Sequence, residues 1–308
     1  MSRLTVDAKG VYVIAATPFT ENGALDLRSI DRMIDFYDGA GVDGITVLGM
    51  MGEAPKLTAE ESKEVVARVV ARAGGRPVVV GVSAPGLAAM EELTKAAMDL
   101  GAAGVMVAPP GNLKTDDQIL AYYQLVGETL GDDVPLVVQD FPLGTNVNFS
   151  NAVLLRIFAS VGGVVMLKHE DWPGLAKIGA LRQAEKSGAR RVSILTGNGG
   201  LFLPEELGRG ADGAMTGFAF PEMMVAVCRL HAAGKIERAH DLFDAYLPLA
   251  RYEQQPGAGL AVRKYVLAKR GAIASPTLRR PGPRLSPDDI ADIERLLARQ
   301  ERRLAELG

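Results

Sequence analysis

Short runs of Val, Ile, Leu and Met recur along the chain, each followed by a longer stretch in which apolar residues return at helical spacing. That alternation predicts βα units repeated around a parallel sheet. Eight strands are predicted, over residues 11–16, 44–48, 77–81, 104–107, 135–139, 164–168, 192–196 and 213–216. Their apolar character is nearly continuous, as in strands covered on both faces. The intervening helices are predicted over 26–40, 58–73, 88–100, 115–130, 150–158, 175–187, 201–209 and 221–232. Thr58 with Glu61 three residues on is a capping-box pattern ahead of an apolar helical face. Gly41, Gly101 and Gly210 each close a helix and can take the left-handed cap conformation. Eight such units in about 225 residues predict a (β/α)8 TIM barrel of the α/β class, spanning residues 1–232. Beyond it only helical patterns continue, over 236–252, 259–270 and 286–307. They predict a C-terminal helical extension, residues 233–308, packed on the barrel, with a Pro- and Arg-rich connector at 276–284.

At 308 residues and 48% hydrophobic content the chain can bury a substantial core. Its formal net charge is only −3, from 34 basic and 37 acidic residues. This gives no electrostatic footprint for nucleic acid or an anionic membrane, and points to a small-molecule partner. No apolar stretch is long enough to span a bilayer and residues 1–4 hold no hydrophobic signal region, so a cytoplasmic protein is expected. The single Cys228 lies in an apolar stretch, where a buried, inert thiol is expected. Of three histidines, His169, His231 and His240, the last two fall in surface-helix sequence. No HExxH, CxxC or GxGxxG pattern occurs, so neither metal nor cofactor is expected.

The chemistry is sought where barrels gather it, at the C-terminal ends of the strands. There Lys168 closes the apolar run Val164-Val165-Met166-Leu167. A lysine carried into a barrel by apolar neighbours loses solvation, which favours the free amine that attacks a carbonyl carbon. A strand-end lysine can also simply snorkel its charge to water; the position on the rim favours catalysis. The other rim residues are Thr17, Met50, Met51, Gly52, Gln139, Asp140, Glu170, Thr196, Gly197, Asn198 and Thr216.

Ala16-Thr17-Pro18-Phe19, Gly49 to Glu53 with Leu57-Thr58-Ala59-Glu60-Glu61, Val107-Ala108-Pro109-Pro110 and Leu167-Lys168 together resemble the dihydrodipicolinate synthase and N-acetylneuraminate lyase family of class I aldolase-type barrels. The resemblance covers nearly the whole chain. It implies that Lys168 forms a Schiff base with a 2-oxo acid such as pyruvate. It also implies that backbone N–H groups around Met51 and Gly52 receive the substrate carboxylate, and that the protein is a homotetramer. The family's proton-relaying tyrosine at the end of strand five is Gln139 here, and its hydroxyl residues in the glycine loop are Met50 and Met51. Pro110-Gly111 stands for a tyrosine pair, and Gly144 for the arginine expected of dihydrodipicolinate synthase itself. Val138-Gln139-Asp140, Gly213 to Gly217 and the tail around Leu247-Pro248-Leu249, Tyr252-Glu253 and Lys264 are similar to the branch that dehydrates 2-keto-3-deoxy-L-arabonate.

The expected chemistry is therefore dehydration of a 2-keto-3-deoxy sugar acid through an imine on Lys168, which acidifies the C3 proton and lets the enamine expel the C4 hydroxyl. Gln139 is expected to orient a hydroxyl or the carbinolamine. Asp140 or Glu170 is expected to move protons, or else to act as an ordinary rim carboxylate. Thr17, Met50, Met51, Gly52, Glu170, Thr196, Gly197 and Thr216 are expected around the substrate. For the threonines, capping local backbone is an equal alternative. Glu53 is expected to anchor the glycine loop, and His169, next to Lys168 on a strand, to face the other way. Two other readings stand beside this one: another family aldolase or lyase, such as dihydrodipicolinate synthase or an imine deaminase, and a barrel that binds 2-oxo acids without turning them over.

Overall fold

In the computed structural model, which describes residues 3–172 and 174–308, eight parallel strands close in chain order into a barrel. They are β1 (Gly10–Ile14), β2 (Gly44–Val47), β3 (Val78–Gly81), β4 (Gly104–Val107), β5 (Leu136–Asp140), β6 (Val164–His169), β7 (Ser193–Thr196) and β8 (Gly213–Ala214). Closure comes from β8 pairing with β1, Gly10 beside Gly213 and Val11 beside Ala214. Side chains alternate along each strand. Val11, Val13, Val78, Val80, Val138 and Leu167 pack into the layer beneath the helices. Tyr12, Ile14, Val79, Val137, Met166 and Leu195 fill the barrel interior. Because both layers are apolar, the strands read in sequence as continuous hydrophobic runs.

The outer ring consists of α1 (Leu27–Ala40), α2 (Ala59–Arg72), α3 (Leu87–Asp99), α4 (Asp116–Leu130), α6 (Asn151–Ser160), α7 (Leu175–Lys186), α8 (Leu203–Gly208) and α9 (Pro221–Ala232). A short helix absent from the predicted pattern, α5 (Pro142–Thr145), follows β5. The capping box at α2 forms in both directions, Glu61 N–H donating to Thr58 Oγ1 at 3.1 Å and Thr58 N–H to Glu61 Oε2 at 3.0 Å. Gly41 ends α1 at φ 74°, a left-handed cap in which a side chain is strained.

The extension is built from α10 (Ile236–Glu253), α11 (Gly259–Lys269) and α12 (Pro287–Leu307), with α10 lying against α9 and α12. Its α11 drives two charged side chains into the molecule, Arg263 at 2% and Lys264 at 0% exposure. Lys264 Nζ donates to Glu53 Oε1 at 2.6 Å and to the Thr277 carbonyl at 3.0 Å. The other Glu53 oxygen accepts from Lys56 Nζ at 2.8 Å and from the Arg279 backbone N–H at 3.0 Å. Lys264 and Arg279 also stand over the Phe19 ring, each 4.5 Å from its centroid. Glu53 thereby fastens the loop after β2 to the extension, as an anchor.

Two stability predictions follow from buried carboxyls. Replacing Glu53 with Ala leaves Lys264 buried without its counter-charge, and the loss expected by chemical denaturation is about 3–5 kcal/mol. Glu206, on α8 behind β7, is pushed by burial from 4.5 up to about 7. Its proton is held more tightly in the folded chain, so this contribution is complete below the unfolded value and is lost as pH rises toward 7. Glu206→Gln is expected to remove that part of the decline, measured as a flatter unfolding free energy between pH 5 and 7 than in the wild type.

Candidate active site

The alternation of β5 and β6 builds the site. Gln139 and Lys168 are paired in register across the two strands, one pleat above the interior residues Val137 and Met166. Both side chains therefore enter the barrel mouth. Lys168 is 5% exposed, and its Nζ lies 3.0 Å from Glu170 Oε2. The same oxygen accepts from Gln139 Nε2 at 2.7 Å. Glu170 follows the strand by one residue and is held by its backbone: its N–H donates to the Asp140 carbonyl at 2.8 Å, and its carbonyl accepts from Asn198 Nδ2 at 3.0 Å. Gly197 makes room for it, since a Cβ there would collide with the Glu170 side chain. One carboxylate thus links the lysine and the amide.

These three side chains open on a cavity of about 360 Å³, with Met50, Met51 and Thr216 among the lining residues. Thr216 Oγ1 accepts from the Gly199 N–H at 2.8 Å. Met50 is 47% exposed at the rim. The opposite wall comes from the extension, through Glu253, Gln254, Gln255, Leu260 and Arg263.

Five expected site residues are not at the cavity. Asp140 follows the inward Gln139 and so faces out of the barrel, where Oδ2 accepts from Lys177 Nζ at 2.8 Å and lies 3.3 Å from His169 Nδ1. Of the two carboxylates expected to move protons, Glu170 lines the cavity and Asp140 does not. His169 does face away from the mouth, its Nε2 donating to the Gly174 carbonyl at 3.0 Å. Thr196 is turned outward for the same reason, following the interior Leu195, and its hydroxyl donates to the Gly213 carbonyl at 3.3 Å. Thr17 donates to the Gly52 carbonyl at 2.5 Å, tying the two loops together beneath the site. Gly52 is buried in the turn Met50–Gly52, its N–H committed to the Gly49 carbonyl at 2.9 Å. Gly197 packs under Glu170 and does not line the cavity.

The sequence reading missed the wall supplied by Glu253 and Arg263. Arg263 Nε donates to Glu253 Oε1 at 2.5 Å, Nη2 donates to the Gly217 carbonyl, and Glu253 Oε2 accepts from the Ala219 N–H at 3.1 Å. The available clue was two cations, Arg263 and Lys264, interrupting the apolar positions Ala261, Val262, Val266 and Leu267 of one helix. Among the described residues no group of three or more His, Cys, Asp or Glu side chains is gathered to hold a metal ion. Burial pushes the Cys228 thiol up to about 12, which removes it as a nucleophile at neutral pH.

The profile of the dihydrodipicolinate synthetase family matches residues 7–300. The L-2-keto-3-deoxyarabonate dehydratase of Azospirillum brasilense is 30% identical over 291 residues, 92% of each chain. The 4-hydroxy-tetrahydrodipicolinate synthase of Thiobacillus denitrificans is 30% identical over 304 residues, 97% of this chain and 98% of its own. The crystal structure of dihydrodipicolinate synthase from Rhodopseudomonas palustris superimposes with a TM-score of 0.96 at 53% identity, over 97% of this chain and 100% of its own. With its closed barrel, its C-terminal helices and these matches along nearly its whole length, the chain belongs to the dihydrodipicolinate synthetase family and is a lyase.

Proposed function

We propose that this lyase dehydrates a 2-keto-3-deoxy sugar acid of the 2-keto-3-deoxy-L-arabonate type through a Schiff base on Lys168. The observation that carries the reading is the group Lys168, Glu170 and Gln139, with a single carboxylate touching the amine at the cavity and an amide where the family's phenol is expected. Glu170 accepts the ammonium proton, and the free amine adds to C2. Glu170 returns that proton to the carbinolamine hydroxyl, which leaves as water and gives the iminium. Glu170 then takes a C3 proton and, as the acid, returns one to the departing C4 oxygen, so that water leaves and a conjugated iminium remains. Hydrolysis releases the product and restores Lys168. Gln139 holds the carboxylate in place by its amide N–H. The substrate carboxylate lies against the start of the Met50–Gly52 turn, where the first N–H groups have no partner within the turn. Thr216 and Asn198 lie along the cavity for the remaining oxygens, and Met51 packs on the carbon chain.

A second reading, 4-hydroxy-tetrahydrodipicolinate synthase, is favoured by the names of the Thiobacillus and Rhodopseudomonas relatives. Against it, Gly144 lies on α5 with the Phe141 ring packed where a side chain would begin, so no guanidinium meets a second carboxylate there. We place the enzyme in the cytoplasm, where a chain with one cysteine needs no oxidising environment. We further propose a homotetramer, as the family resemblance implies, in which the exposed Leu143 (67%) and Trp172 (43%) are apolar side chains left for a neighbour to cover. The division into a barrel of residues 1–232 and an extension of 233–308 suits this reading, with the extension closing the cavity.

Incubation with pyruvate and borohydride is expected to add a reduced imine to Lys168, located by peptide mass mapping and absent from Lys168→Ala. With 2-keto-3-deoxy-L-arabonate, water should be lost with no aldehyde partner. No adduct would leave only a binding barrel, and turnover requiring an aldehyde would establish the synthase. Glu170→Gln is expected to lower kcat by about 10²–10⁴-fold and to form the pyruvate adduct more slowly than the wild type. An unchanged kcat would remove Glu170 from the proton transfers.

A further inference from the structure

The cavity has a second built wall, supplied by the extension. Arg263 enters from α11 and is 2% exposed, yet it lines the same cavity as Lys168. Its orientation is over-determined, because Nε is held by Glu253 Oε1 at 2.5 Å and Nη2 by the Gly217 carbonyl. Glu253 is fixed in turn by the Ala219 N–H at 3.1 Å. The third nitrogen, Nη1, is buried and has no acceptor among the described residues. It stands against Gly217, itself a lining residue, where any side chain would strike the guanidinium. A buried N–H without an acceptor is disfavoured, and because the Arg263 side chain borders the cavity, a ligand that draws Nη1 toward it supplies the missing oxygen.

From this we infer that Arg263 is a specificity-determining residue whose Nη1 receives a hydroxyl oxygen of the substrate beyond C4, at the end of the chain remote from the imine. The inference rests on the dehydratase reading for the placement of C2 at Lys168. Charge selects the ligand class. Each cation at the cavity already has a carboxylate, Lys168 with Glu170 and Arg263 with Glu253. A neutral hydroxyl can fill the remaining donor without adding charge, whereas a second carboxylate would bring an anion beside Glu253. The ligand is thus a 2-oxo acid with a hydroxylated tail.

The test compares 2-oxopentanoate with 5-hydroxy-2-oxopentanoate, which differ only in the terminal oxygen and carry no C4 leaving group, so neither is dehydrated. Calorimetric Kd values are measured on the wild type and on Arg263→Lys, which keeps the charge facing Glu253. The wild type is expected to bind the hydroxylated acid at least 10-fold more tightly. Arg263→Lys should lose that preference while its Kd for 2-oxopentanoate stays within about 3-fold, showing that the lysine end is intact. Equal wild-type affinities for the two acids overturn the inference even if the variant does not fold. So does a preference that survives in Arg263→Lys, or an equal weakening of both ligands. Because calorimetry needs no trapped imine, a preference lost in the variant together with no borohydride adduct on Lys168 would sink the Schiff-base reading and leave the Arg263 assignment standing.

Discussion

An ammonium and a carboxylate 3.0 Å apart, both nearly shut off from water, stand at the mouth of the barrel. Either charge alone at that depth would be strongly disfavoured, so the pair must be made together and held by its surroundings. The hold on Glu170 has three parts: the Gln139 amide on one carboxylate oxygen, the Asp140 carbonyl on the backbone N–H, and Asn198 on the carbonyl. Outside the barrel, Asp140, His169 and Lys177 form a polar group on the far faces of β5 and β6. The two strand ends are thereby clamped from behind while they present Gln139 and Lys168 to the cavity in front. A proton acceptor in contact with the amine is what the proposed imine chemistry needs, and this arrangement offers one without a phenol.

The extension contributes to the same centre. Arg263 and Lys264 are consecutive on α11, and each is committed to a different carboxylate. Arg263 meets Glu253 beside the ends of β8, and Lys264 meets Glu53 in the loop after β2. One helix turn thus braces both sides of the opening. The wall of the cavity and the seat of the extension are one structure, and the segment from Glu253 to Arg263 belongs functionally to the barrel mouth as much as to the helices it connects.

The fold was largely legible in the chain. Each strand lies within two residues of its predicted bounds at either end, because fully covered parallel strands are marked by apolar runs that few other elements imitate. The unpredicted helix α5 is a four-residue turn, too short to show a period. The placement of Lys168, and the loss of the phenol at Gln139, were also visible in the linear order. What misled was the treatment of strand ends as clusters: Gln139 and Asp140 were read together at the mouth, as were Thr196 and Gly197 with the substrate.

The amino-acid order by itself determined the eight βα units and the lysine on the rim, since each depends on local composition and spacing; that Gln139 stands where the family has a phenol came from the resemblance. Tertiary structure alone decided which residue of each adjacent pair faces the cavity. The interior phase of a strand is set by its neighbours' register, and both faces here are apolar. It alone also brought Glu170 onto Lys168 after the strand had ended, and carried Arg263 into the wall beside Gly217. Such contacts join distant parts of the chain through packing, which no local period records.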